Sequence, residues 1–295
     1  MTTSDSVLLP RFVLVRAQAA GLDPAELARA AGLGSATVDQ PQGSVPGHCY
    51  QRLWELFEHR VEQPHVGLRG GERFGTGELG MLEYLVTTAD TVGAGLRAAA
   101  EFGDCMTSSR RLEVTAVTER HTIFTTRAQD ESRGAEIAAQ ASFAFLLSRA
   151  RHCAKAAITP AAVTFRQRSP RRHTAFTEFF GTAAIEFGAE RNTLTMCHAD
   201  LERRQHTADP RLAAVLRRGA SASRLHLPPA TAWADLVAGE LDSLGSAAGS
   251  AQESVSLGDI ARRLHVSPRT LQRRLAAAGT SFSRELDDAR RRLER

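Results

Sequence analysis

Between Ser256 and Gly279 the residue order leaves the chain few conformational options. Ser256 precedes Leu257, Ile260, Ala261 and Leu264, which share one face of a helix whose second turn carries the small Ala261. His265 and Val266 make a short turn, and Ser267 with Pro268 then supplies an N-cap and a proline at the first helical position. Leu271 and Leu275, four apart, define the buried face of a second helix that Gly279 ends. A helix, a turn of three or four residues and a capped second helix make a helix-turn-helix unit. With the leucines inward, Arg269, Gln272 and Arg273 face outward on the first two turns, the part of such a helix that enters a major groove. Arginine bonds bidentately to guanine and glutamine to adenine, so the side-chain types suit base reading. An ordinary helical hairpin with solvated arginines would share the pattern.

Charge is distributed in the same sense. The 295 residues include 37 basic and 33 acidic side chains, and Lys155 is the only lysine, which leaves 36 arginines. From Ser254 to the end, ten arginines face five acids, a local charge of +5, while the remainder has 27 basic and 28 acidic residues and sums to −1. A domain built for a polyanion concentrates charge this way, and so does a solvated basic tail. A hydrophobic fraction of 42% and a charged fraction of 24% predict a buried core, and the length suits two domains. The N-terminus has no basic leader, and no window reaches the roughly 18 apolar residues of a membrane span, so neither a signal peptide nor a membrane location is expected. Cys49, Cys105, Cys153 and Cys197 never form a C-x-x-C pair, which predicts free thiols in a reducing cytoplasm.

Along the chain, periodicity predicts helices over Asp23 to Ala31, Gly47 to Val61, Met81 to Thr87 and Gly93 to Phe102, the last capped by Asp90 or Thr91. Two helices are expected before residue 65. An antiparallel hairpin follows, Leu112 to Ala116 with Thr122 to Arg127, then a buried helix over Ala135 to Arg151. Ala162 to Arg166 reads as a strand and Thr174 to Phe180 as a short helix. Ile185 to Phe187 with Leu194 to Cys197 reads as a second hairpin, and Asp209 to Arg218 as a helix capped by Asp209 and Pro210. Leu225 to Pro229 marks a boundary, Thr231 to Leu244 a helix, and Gly245 to Ser254 a flexible linker or loop. The fold class expected is an α+β domain over residues 1–224 followed by an all-α helix-turn-helix domain over 229–295.

Other motifs carry less. Gly75, Gly77 and Gly80 spell G-x-G-x-x-G, but Arg69 to Phe74 is charged and glycine-rich where a dinucleotide site needs a hydrophobic strand, so a turn entering a helix is expected. His152 and Cys153 are helix neighbours about 100° apart, which predicts a buried thiol and a partly exposed imidazole rather than a nucleophile and its base. The ten histidines show no H-x-x-x-H or H-E-x-x-H spacing, so no metal site is expected. Arg168, Arg171, Arg172 and His173 read as a solvated loop, and Phe179 with Phe180 as core.

The run SLGDIARRLHVSPRTLQRRLAAAGTSFSRELDDARRRL resembles the first helix-turn-helix of AraC/XylS-type transcription regulators, through its Ser-x-Arg-Thr-Leu-Gln-Arg core, its Gly-Thr-Ser-Phe turn and a downstream arginine. Upstream, GLDPAELARAAGL, GELGMLEYL and FTEFFGTAAIEFGAERNTLTM resemble the arabinose-binding-like N-terminal sensor domain of one AraC-type subgroup, a domain named from its relative rather than its ligand. The resemblance implies a cytoplasmic regulator, not an enzyme, with no cofactor. Its partners would be double-stranded promoter DNA, an unassigned small-molecule effector, a second copy of the chain and RNA polymerase. It places Arg269, Gln272 and Arg273 in the major groove and Arg290 in a linker helix; Arg262, Arg263, Arg274 and Arg284 join Arg290 as candidates for phosphate contact. It also implies a second helix-turn-helix beyond the linker helix, inside which this sequence ends, so the 229–295 domain is expected to be the first half of the family's DNA-binding domain. The alternative expectation is a ligand-binding, dimerising interaction protein with weak or no specific DNA binding.

Overall fold

The computed structural model describes residues 3–34, 40, 43–61, 65–72, 75–128, 131–223, 233–247, 255–264, 268–277 and 279–293. Strands β1 (Ser4–Ser6) and β2 (Ser44–Pro46) pair antiparallel, with α1 (Leu8–Ala19) and α2 (Pro24–Ala30) between them. Helix α1 departs from the expectation of two helices before residue 65. Pro10 falls in its first turn, where a backbone N–H would have no intrahelical acceptor, so the ring does no harm there. Helix α2 starts as the sequence predicts: the Asp23 carboxylate accepts from Ala25 N at 2.8 Å, and Gly32 at φ +81° follows the last turn.

Helix α3 (Gly47–Val61) has the predicted bounds, whereas α4 (Val66–Glu72) lies in a stretch too rich in glycine to announce a helix. Those glycines serve packing. A Cβ on Gly67 would lie 2.6 Å from the Ile137 carbonyl oxygen, and one on Gly71 would lie 2.4 Å from the Ala144 Cβ. Both contacts are with α7 (Arg133–Ala154), the spine of this part of the molecule, in which 16 of 22 residues are buried, as its nearly all-round apolarity predicts. The G-x-G-x-x-G segment is a turn entering α5 (Gly80–Thr87), with Gly77 at φ +90° and Gly80 at φ +57°. Helix α6 (Val92–Phe102) is capped by Thr91, whose hydroxyl accepts from Ala94 N.

A five-stranded sheet has the order β3 (Arg110–Val117), β4 (His121–Ala128), β7 (Asn192–Cys197), β5 (Ala162–Phe165), β6 (Ile185–Phe187). The β3–β4 hairpin is the predicted one, but β6 and β7 do not form a hairpin. Strand β5 lies between them, antiparallel to β7 and parallel to β6. Val163 and Phe165 are buried and claim the interior place, while the three residues of β6, none of them fully buried, fit the edge. Helix α8 (Thr174–Phe180) lies between β5 and β6 in sequence, and α9 (His198–Leu201) follows β7. In α10 (Pro210–Ser223), entered through Asp209, Ala220 packs on Leu85, Ala98 and Phe102.

The C-terminal helices are α11 (Trp233–Ala247), α12 (Leu257–Arg263), α13 (Pro268–Ala277) and α14 (Phe282–Leu293), and they share an apolar cluster separate from the one below residue 202. Helix α11 runs three residues into the expected Gly245–Ser254 loop, because Leu241 and Leu244 on its last turns still contact that cluster. The rest of that loop, the Leu225–Pro229 boundary and the Ser267 cap lie outside the described residues. The fold is the mixed one expected, a sheet-containing N-terminal part and a helical C-terminal part.

Candidate functional site

Helix α12 is fixed by a reciprocal cap: the Ser256 hydroxyl accepts from Asp259 N, and the Asp259 carboxylate accepts from Ser256 N at 3.1 Å. The Asp259 carboxylate also accepts from the Ser256 hydroxyl at 2.6 Å, and this bond, with the one from Ser256 N, favours the charged form and holds Asp259 below its ordinary range. Its Ile260, Ala261 and Leu264 are buried with Leu271 and Leu275 of α13, Ala289 of α14 and Trp233, Leu236, Val237 and Leu241 of α11. Burial of Leu271 and Leu275 orients the other side of α13. Arg269, Gln272 and Arg273, spaced i, i+3, i+4, are exposed there together and have no hydrogen bond or ion pair among the described residues.

The remaining arginines divide. Arg284 is exposed on α14. Arg262 is 79% exposed and meets Asp259 at 3.2 Å, a contact that water largely screens. Arg263 is bonded to Glu240 of α11 at 2.6 Å, and Arg290 lies 3.9 Å from Asp287. Arg262 and Arg263 also line a cleft, with Arg29, Gly32 and Leu33, where the C-terminal helices meet the N-terminal part. The Arg274 side chain lies outside the described residues.

A second feature was not legible in the sequence. In the N-terminal part a cavity of about 100 Å³ lies among α1, α5, α6, α7 and the start of β3. Leu9, Phe12, Leu79, Leu82, Phe145 and Leu146 supply its apolar wall; Tyr50, Thr107, Arg110 and Ser142 supply polar groups. The Arg110 guanidinium stacks 4.5 Å from the Tyr50 ring centroid, and its Nη1 is buried with no hydrogen-bond acceptor. Nearby Asp5 is fully buried and accepts from Thr107 Oγ1 at 2.5 Å and from Ser109 Oγ at 2.8 and 3.0 Å. Burial pushes its carboxyl above the ordinary value, and the charge of Arg110 pulls the other way. Arg110 opens a strand and is one of 36 arginines, so nothing in its sequence context distinguishes it.

The two parts of the chain touch at α3. His48, in its first turn, stacks on Trp233 with ring centroids 5.3 Å apart and planes 16° apart, while Tyr50, two residues on, lines the cavity.

Residues 21–205 match the family described as the arabinose-binding domain of AraC transcription regulators, N-terminal. The chain belongs to the AraC family of transcription regulators. This regulator is 25% identical over 257 residues to an ornithine utilization regulator of Pseudomonas aeruginosa, covering 87% of this chain and 74% of that one. It is also similar to the crystal structure of the transcriptional regulator CdpR from Pseudomonas aeruginosa, at 20% identity and TM-score 0.48, over 81% of this chain and 75% of the other. Among the described residues of this AraC-type chain, no three His, Cys, Asp or Glu side chains converge as metal ligands, and no helix is long and apolar enough to cross a membrane. Cys153 is buried, where desolvation raises its thiol pKa, and His152 beside it is exposed.

Proposed function

We propose that this regulator binds double-stranded promoter DNA through α13 and that a small molecule held in the N-terminal part modulates the binding, in the cytoplasm and without a catalytic role. The observation that carries the DNA reading is the exposed trio Arg269, Gln272 and Arg273 on one side of a helix whose other side is buried. These residues would read base edges. Arg262, Arg284 and Arg290 would meet phosphates, and Arg274 stays with them on sequence grounds. Arg263 is the weakest of the phosphate candidates because Glu240 already holds it. A division into a sensing unit over 1–224 and a reading unit over 229–295 is supported by the two separate apolar clusters. Dimerisation and contact with RNA polymerase rest on the family alone.

The test is a mobility-shift series on a duplex selected by this chain from a random pool, with unselected duplex as the reference. Arg273→Ala and Gln272→Ala should each lose about 1–3 kcal/mol of discrimination, largely at one base position. Arg262→Ala should weaken both duplexes alike. Equal losses on both duplexes for all three variants would overturn the assignment of α13.

A further inference from the structure

We propose that the cavity among α1, α6, α7 and β3 binds a small amphipathic carboxylate, its hydrocarbon part against Leu9, Phe12, Leu82 and Phe145 and its charged end at Arg110. The proposal rests on the reading that the N-terminal part holds a small molecule, and it assigns the chemical class.

The walls are mostly side-chain hydrocarbon, so a ligand is held there by burial of apolar surface. Against that background Arg110 is the exception. A guanidinium keeps its charge at any pH the fold survives, and a buried charge is costly unless it is paired and hydrogen-bonded. Here its Nη1 has no acceptor, and the guanidinium forms no ion pair among the described residues; the Tyr50 ring face stabilises the cation without accepting its protons. Asp5 is the neighbouring acid, but its oxygens are taken by Thr107 and Ser109. A buried guanidinium nitrogen with no acceptor, beside a hydrocarbon cavity, is complementary to an anion carried on a short hydrocarbon. One guanidinium matches one carboxylate bidentately. A phosphate, with charge near −2, would call for a second cation, and Arg111, the other arginine on the wall, is 72% exposed and faces Glu113 at 3.6 Å. A cationic ligand would meet Arg110 with like charge. Volume sets the size: a cavity of about 150 Å³ takes benzene, so this one, at about 100 Å³, suits a short chain better than a ring.

The test uses the whole chain without DNA. Calorimetric titration with sodium salts of straight-chain acids of about four to ten carbons and with benzoate is paired with titration by the corresponding primary alcohols. Acids should bind at least about tenfold tighter than their alcohols, with an optimum length. Arg110→Met should abolish that preference while alcohols still bind, Arg110→Lys should keep part of it, and Arg111→Ala should leave it intact. Should Arg110→Met not fold, Arg110→Lys and Ala99→Leu decide, the latter by shifting the optimum to a shorter acid. Acids and alcohols binding equally, no binding in either series, or an equal loss from Arg111→Ala would overturn the proposal. Because no DNA is present, absence of acid binding would overturn this proposal and leave the DNA reading standing, and a separate mobility shift in which the bound acid leaves DNA affinity unchanged would count against effector control alone.

Discussion

Glu83 and Arg149 show at the scale of single residues how this fold tolerates charge in its interior. Glu83 is fully buried; one of its oxygens accepts from Arg149 Nη1 at 3.2 Å and the other from Leu79 N at 3.2 Å. Burial lowers the Arg149 pKa and the charge of Glu83 restores part of the loss. Removing one partner strands the other, so Glu83→Ala should cost about 3–5 kcal/mol, while the apolar double variant Glu83→Leu, Arg149→Met should be far milder. Chemical denaturation of both reads this directly; a double variant as unstable as the single one would contradict it. His65 gives a pH signature. Burial holds its imidazole below the ordinary 6.5, although Nε2 donates to the Arg172 carbonyl oxygen at 3.1 Å. A folded pKa below the unfolded one means that the unfolded chain takes the proton more readily. His65 therefore contributes fully above about pH 6.5 and loses its contribution as pH falls from there. His65→Asn, which also suits the backbone at φ 66°, should flatten the decline of stability below pH 6.5. Identical slopes for variant and parent would rule His65 out as its source.

Among the elements, legibility followed the kind of signal each one carries. Helices marked by local chemistry, such as α2 with its Asp23 cap or α10 with Asp209 and Pro210, were readable to within a few residues. The same holds for α12, although its Ser256–Asp259 box became evident only in the fold. Helix α4 was not readable, because its glycines answer to a partner about 70 residues away rather than to helix propensity. The place of β5 between β6 and β7 was hidden for a similar reason: strand order depends on which short strand has a face to bury, here Val163 and Phe165 of β5, and sequence proximity favoured the hairpin. At the candidate site the outward side of α13 was legible from Leu271 and Leu275, whereas the cavity, assembled from six separated segments, was not. The α4–α7 contact yields a prediction. Gly71→Ala adds one methyl where backbone already lies 2.7 Å away at Phe145 N, and should cost about 1–3 kcal/mol. Gly258→Ala, which meets only the Ser256 Oγ at 3.5 Å in the first turn of α12, should be neutral or stabilising. Equal effects in thermal melts would mean that the close approach does not constrain the fold.

For the whole molecule, the question is how a ligand beneath α3 could alter a reading helix on the other apolar cluster. Coupling requires that the ligand prefer one of two arrangements of the chain, and the His48–Trp233 stack is a place where two arrangements would differ. His48 and Tyr50 share the first turn of α3, so a carboxylate that draws Arg110 away from the Tyr50 ring would disturb the same turn that contacts α11. Trp233 in turn packs with Leu236 and Val237 in the cluster that orients α13. Parent and His48→Ala chains should therefore bind the best acid of the cavity series with similar affinity. Their DNA affinities should respond differently: the parent by a factor in the range of about 5–150, typical of such coupling, and the variant little or not at all. The comparison must be made at one salt concentration, because a local charge of +5 should make DNA affinity fall steeply with salt, by a log-log slope of about −0.9 per phosphate contact. Reciprocity supplies the check, since saturating DNA must change acid affinity in the parent by the same factor that the acid changes DNA affinity. A His48→Ala chain that keeps the parent's full response would mean that the signal runs elsewhere, the cleft lined by Arg29, Gly32 and Arg262 being the next contact to break.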